Sequence, residues 1–168
     1  MKKTFSILVL LPLTFILLPS LLQGQDSAES WIRSIRSEVA AINAPGVHYR
    51  IEKDDSNYVS SEGSEIKKYF EGKVLRKVTL DEFGAVGNSQ VEYYFSGDKL
   101  IFCYEVTKLY GGPMSDAHRP LISDEHNRYY LHKGKLFRFI NTKGRKIEGK
   151  GLLEKEKDLQ QLREVLLL

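Results

Sequence analysis

The apolar residues of this chain follow three patterns in turn: a continuous run, a helical stripe, and a series of strand-like stretches. The continuous run goes from Phe5 to Leu22, behind Met1-Lys2-Lys3. A short cationic segment followed by an apolar stretch is what the secretion machinery reads as a leader. Gln23-Gly24-Gln25 then turns polar, and Gly24 is small enough to precede a cleavage point, although Leu22 is larger than the usual residue two places earlier. A retained membrane anchor is the competing expectation. Pro12 and Pro19 interrupt a run that only grazes the minimum for a span, ~17 residues, and no cysteine follows it to carry a bacterial lipoprotein anchor. The expectation is a leader over 1–24 and a single exported domain over 25–168, periplasmic or secreted, with no stable membrane anchor after cleavage.

The helical stripe comes next. Trp31, Ile32, Ile35, Val39 and Ile42 recur at helical spacing, with Arg33, Arg36, Ser37 and Glu38 on the other faces. Asp26 or Ser27 can cap this helix, and Asn43-Ala44-Pro45-Gly46 stops it, because proline disfavours helix at the residue before it. Burial against a sheet is the commoner use of such a stripe than lying on a membrane, where a denser basic face is usual.

From Val47 the period changes to two. Val47, Tyr49 and Ile51 alternate with His48, Arg50 and Glu52, as in a half-buried strand. Polar loop material surrounds a short Tyr58-Val59. Three similar phrases follow: Lys68 to Val74, Tyr93 to Leu100 and Tyr129 to Leu136. Each joins aromatic or apolar residues to a tight glycine-containing turn, a lysine and a second apolar stretch, the signature of a β-hairpin. In the middle phrase, pairing Phe95 with Leu100 puts Tyr93 opposite Phe102 and Val91 opposite Tyr104, all six on one face. Cys103 then points away from Tyr93. The phrases are unevenly spaced, which argues against a solenoid. A turn at Asn141-Thr142-Lys143-Gly144 and a Lys/Gly-rich link lead to a closing helix from Leu152, with Leu152, Leu159, Leu162, Val165 and Leu166 on one stripe. The fold class is therefore α+β: an N-terminal amphipathic helix, an antiparallel β-meander of about six or seven strands built from three hairpins, and a C-terminal helix.

Charge changes the picture only by removing a function. The full chain has net charge +3, but Lys2 and Lys3 belong to the leader, leaving 23 basic and 22 acidic residues among the last 144. That balance gives no case for nucleic acid. Cys103 is the only cysteine, so no internal disulfide forms.

Candidate chemistry is sparse. The stretch from Thr107 to His126 reads as a long irregular loop, a common place for function. It holds Asp116, His118, Asp124, Glu125 and His126, the densest group of metal-ligand types in the chain. A metal-assisted hydrolase built on Asp116, His118, Asp124 and His126 is the alternative expectation, although no metal-binding spacing motif is present. Cys103 has Glu105 close by to oppose a thiolate, so a packed thiol is expected. His132 falls in a hairpin turn, open to solvent. No nucleophile elbow, phosphate loop or dinucleotide fingerprint occurs, so no catalytic residue or cofactor is expected. Nine tyrosines and eight phenylalanines are left to account for, of which Phe5 and Phe15 belong to the leader. They suggest a non-catalytic binding domain that takes a protein or small ligand on an aromatic sheet, with Tyr94, Tyr129 and Tyr130 as ligand-contact candidates.

Overall fold

A computed structural model describes residues 20–54, 62–113, 115–147 and 150–167. Its first element, α1 (Ser20–Ile42), starts ahead of the expected cap at Asp26 or Ser27. After Pro19 the sequence offers no helix breaker stronger than Gly24, so the helix runs back to Ser20. It ends where expected. The Asn43 amide donates to the Val39 carbonyl at 3.1 Å, and Gly46 takes a φ of +88°, a left-handed conformation open to glycine.

The strands are β1 (Arg50–Asp54), β2 (Ser64–Glu71), β3 (Val74–Gly84), β4 (Gly87–Ser96), β5 (Lys99–Tyr110), β6 (Leu121–His132), β7 (Lys135–Ile140) and the two-residue β8 (Lys146–Ile147). Each pairs antiparallel with the next in chain order, so the sheet is one continuous meander. Helix α2 (Lys150–Leu167) closes the chain. The α+β architecture is the expected one: a helix, the three hairpins β2–β3, β4–β5 and β6–β7, and a second helix.

Several boundaries move. β1 begins at Arg50 rather than Val47, and Ile51 on this edge strand stays 50% exposed instead of half-buried as the alternation suggested. The link after β7 contributes the extra strand β8, held by a turn in which Asn141 Oδ1 accepts from the Lys143 and Arg145 amides. The largest change is at the supposed long loop. Thr107 to Tyr110 belong to β5 and Leu121 to His126 belong to β6, leaving a connection of only 111–120. The register sets Thr107 opposite Glu125 and Lys108 opposite Asp124. Strand-forming Val106, Thr107 and Ile122 and a favourable cross-strand charge pair outweigh the polarity that suggested a loop. Tyr58-Val59 and the leader up to Pro19 lie outside the described residues, as do the side chains of Leu162, Val165 and Leu166.

The three hairpins share more than a phrase. Each turns in two residues, with left-handed φ at Gly72 (+60°), Gly97 (+61°), or Lys133 and Gly134 (+53° and +78°), as the primed turns of hairpins require. Each then skips one residue on its second strand: Arg76, Ile101 and Phe137 are the extra residues. These are β-bulges. The middle one corrects the expected pairing. Phe95 does face Leu100, but Tyr94 faces Phe102, Tyr93 faces Cys103 and Val91 faces Glu105. Tyr93 and Phe95 therefore lie on one side of the sheet, and Phe102 and Tyr104 on the other. Cys103 joins Tyr93 instead of turning from it.

The physical reason is that both faces are covered. A strand buried on both sides can carry an unbroken apolar run such as Leu100 to Tyr104, so strict alternation no longer fixes its phase. On one face α2 lays Leu159 over a core of Ile66, Val78, Leu80, Val91, Tyr93, Phe95, Leu100, Cys103, Tyr129, Leu131, Leu136 and Phe139. On the other, Ile32, Ile35 and Ile42 of α1 cover Tyr94, Phe102 and Tyr130. Trp31 stacks on His132 with ring centroids 4.0 Å apart, so this histidine, the last residue of β6, is half-buried rather than solvated.

Candidate functional site

Under α1 the sheet presents a row of rings, one per strand. Tyr94 on β4, Phe102 on β5 and Tyr130 on β6 are cross-strand neighbours, with centroids 5.8 Å and 4.9 Å apart in sequence along the row. Such contacts stabilise beyond simple area burial. Polar groups stitch the helix to this row. The Tyr94 hydroxyl donates to Glu92 at 2.6 Å and accepts from the Asn43 amide nitrogen at 2.8 Å. Tyr49 donates to the Ile42 carbonyl at 2.8 Å, and Arg36 Nε donates to the Tyr130 hydroxyl at 3.2 Å.

The helix does not seal the row completely. A slot of about 350 Å³ remains, lined by Ile35, Arg36, Val39 and Ala40 of α1, Phe102 of β5, and Arg128 and Tyr130 of β6. That volume lies at the lower end of ordinary small-molecule sites, ~300–1,000 Å³. Its walls are mainly apolar and both of its charged residues are arginines. Four other hollows among the described residues carry charges of both signs, the two smaller ones lined by Asp81, Glu82 and Lys108 and by Glu82, Glu105, Lys155 and Asp158. Of the larger two, one, about 490 Å³ at the β3–β4 turn, has Glu82 and Lys108; the other, about 360 Å³ at the hairpin tips, has Asp98, Lys99 and Lys133.

Next to Arg128 on the same face, the guanidinium stands 5.2 Å from the centre of the Tyr104 ring. The Tyr104 hydroxyl meets His126 Nδ1 at 2.6 Å, and His126 Nε2 meets Asp124 at 2.9 Å. Two of the four proposed metal ligands are thus joined to each other and to a tyrosine. The other two sit in the 111–120 connection, where Asp116 accepts from the His118 amide at 2.9 Å, and both are exposed. Among the described residues, no group of three or more His, Cys, Asp or Glu side chains comes together as metal ligands would. The strand pairing that shortened the loop also distributed its residues over two elements.

The ligand-contact candidates divide in the same way. Tyr94, Tyr129 and Tyr130 are 2%, 3% and 1% exposed, so they do not form an open face. Tyr130 lines the slot under α1, and Tyr94 lies in the same aromatic row beneath the helix. Tyr129 belongs to the other side, stacked on Phe139 at 4.6 Å and donating to Glu105 at 2.6 Å. Asn127 donates to the same Glu105 oxygen at 3.1 Å. Burial pushes the Cys103 thiol well above its usual range, and Glu105 adds to the shift. A thiol held neutral in this way has no nucleophilic character.

Arg36 and Arg128 were not singled out by the sequence. Arg36 falls beside the helical stripe rather than on it, immediately after Ile35. A stem there can lie along the apolar seam while its head remains polar. Arg128 looks like one polar residue in an alternating strand, and only the phase of β6 aims it at the helix.

No family model, no curated protein and no solved structure matches the chain. What the slot can accept therefore follows from its own shape and charge. Among the described residues no helix is long and apolar enough to cross a membrane.

Proposed function

We propose that this is an exported, non-catalytic binding domain that takes a small ligand into the slot between α1 and the aromatic row of the sheet. The observation that carries the reading is the slot itself: a groove of about 350 Å³ between α1 and the sheet, walled by Ile35, Val39, Phe102 and Tyr130 and flanked by two arginines. Export rests on the Lys2-Lys3 leader and its apolar run. Cleavage near Gly24 leaves every lining residue in the mature chain.

Titration with anilinonaphthalene sulfonate, whose fluorescence rises in an apolar site, tests the binding claim. Saturable, one-site binding to the native protein is expected, and Ala40→Phe, which fills the slot from the helix side, should abolish it with folding intact by circular dichroism. Equal binding by the filled variant would overturn the reading. The export claim is tested separately, by the mass of protein recovered from the cell exterior or periplasm. A mass lacking the first two dozen residues is expected, and an intact leader would contradict it.

A further inference from the structure

We propose that the ligand of this slot is an amphipathic anion, a single oxyanion head on a short apolar body, with Arg36 and Arg128 as its charge clamp. The inference rests on the slot being a binding site and adds the chemical class of what enters it. Three other basic side chains lie along the same side of the sheet, and each has a carboxylate. Arg138 meets Glu29 at 3.1 Å, Arg76 meets Glu38 at 3.5 Å, and Lys77 meets Glu92 at 2.7 Å. Arg36 and Arg128 alone of these five have no acidic partner among the described residues. Their contacts are with rings: Arg36 lies 5.8 Å from the centre of Tyr130, and Arg128 5.2 Å from that of Tyr104. A guanidinium laid on a ring retains unused N–H donors in a planar fork that suits a carboxylate or phosphate.

The placement matters as much as the charge. Both arginines line one cavity, together with Ile35, Val39, Ala40, Phe102 and Tyr130. A cation would meet two like charges there, and a wholly apolar molecule would leave both guanidinium groups without a counter-charge. A small multiply charged anion would leave the apolar walls unfilled. An oxyanion head with a short chain satisfies both surfaces. The Tyr130 hydroxyl already accepts from Arg36 Nε, so its own proton remains available to the same head.

Calorimetric titration of the full mature protein with octanoate, octyl phosphate, octanol and octylamine tests this. Either anion should bind with one site, the tighter one naming the head group, while octanol and octylamine bind at least about tenfold more weakly. Arg128→Gln and Arg36→Gln should each weaken the anion by at least about tenfold, whereas Arg33→Gln, on the exposed side of α1, leaves it unchanged. Thermal melts of the variants separate lost binding from lost folding, and Arg36→Lys, which keeps the charge, should recover part of the affinity. Octanol binding as tightly as octanoate would overturn the charge clamp while leaving the slot as a ligand site. No binding by any of the four, with anilinonaphthalene sulfonate also excluded, would overturn the site itself.

Discussion

Under α2, Tyr93, Phe95, Tyr129 and Phe139 sit among aliphatic side chains such as Val78, Leu80, Leu100 and Leu136, and the rings are packed into a core whose hollows, about 360 Å³ and 110 Å³, lie beside Leu159 and carry charges of both signs. Under α1, Tyr94, Phe102 and Tyr130 meet Asn43, Glu92, Arg36 and Arg128, and the face closes only in part. The same kind of ring serves two ends. Adjacent pairs, Tyr93-Tyr94 and Tyr129-Tyr130, send one tyrosine to each side of the pleat, so sequence neighbours enter different environments. What differs is the company each ring keeps: mostly aliphatic neighbours under α2, with Glu105 accepting from Tyr129, and amide, carboxylate and guanidinium groups under α1.

Large-to-small substitution draws this contrast most sharply. Phe95→Ala in the α2-side core should cost about 3–5 kcal/mol in urea denaturation, and Phe102→Ala, whose ring already borders the slot, should cost less. Equal losses would break the comparison. The bulged hairpins come next. Gly97→Ala meets no atom within 4 Å, yet its φ of +61° strains any side chain, so a loss of about 1–2 kcal/mol is expected from backbone conformation alone. Smaller still, Tyr94→Phe removes the hydroxyl shared by Glu92 and Asn43 and should cost about 1 kcal/mol, with the fold unchanged by circular dichroism.

The smallest effect is electrostatic and belongs to the α2 side. Burial raises the Glu82 carboxyl above its ordinary value, a hydrogen bond from Ser89 partly offsets this, and the nearby Glu105 raises it further. A carboxyl that protonates more readily folded than unfolded contributes stability at acid pH, below its unfolded value. That contribution is lost as pH rises through the raised folded value. Glu82→Gln should therefore raise the melting temperature at neutral pH, on the order of one degree, and change it little under acid conditions. A gain that is larger in acid would contradict the assignment.

The fold was legible because its signals were local. The stripe from Trp31 to Ile42 and the glycine turns of three like hairpins each declare an element within a dozen residues. The slot was not legible, since it depends on phase. One extra residue in β5, Ile101, decides whether Phe102 joins Tyr93 or Tyr94, and the apolar run from Leu100 to Tyr104 permits both. Arg128 depends likewise on how β6 is placed, through its pairing with Tyr104. The supposed loop failed for a related reason: Asp124, Glu125 and His126 are polar residues near the exposed end of a strand, and polarity alone does not distinguish that from a connection.

The most direct test is a nuclear Overhauser experiment on the protein titrated with octanoate. Cross-peaks between the octanoate chain and the rings of Phe102 and Tyr130, with none to Tyr129 or Phe139, are the predicted result. Contacts to Tyr129 and Phe139 instead, or a ligand that touches neither face, would contradict the division of labour between the two sides of the sheet.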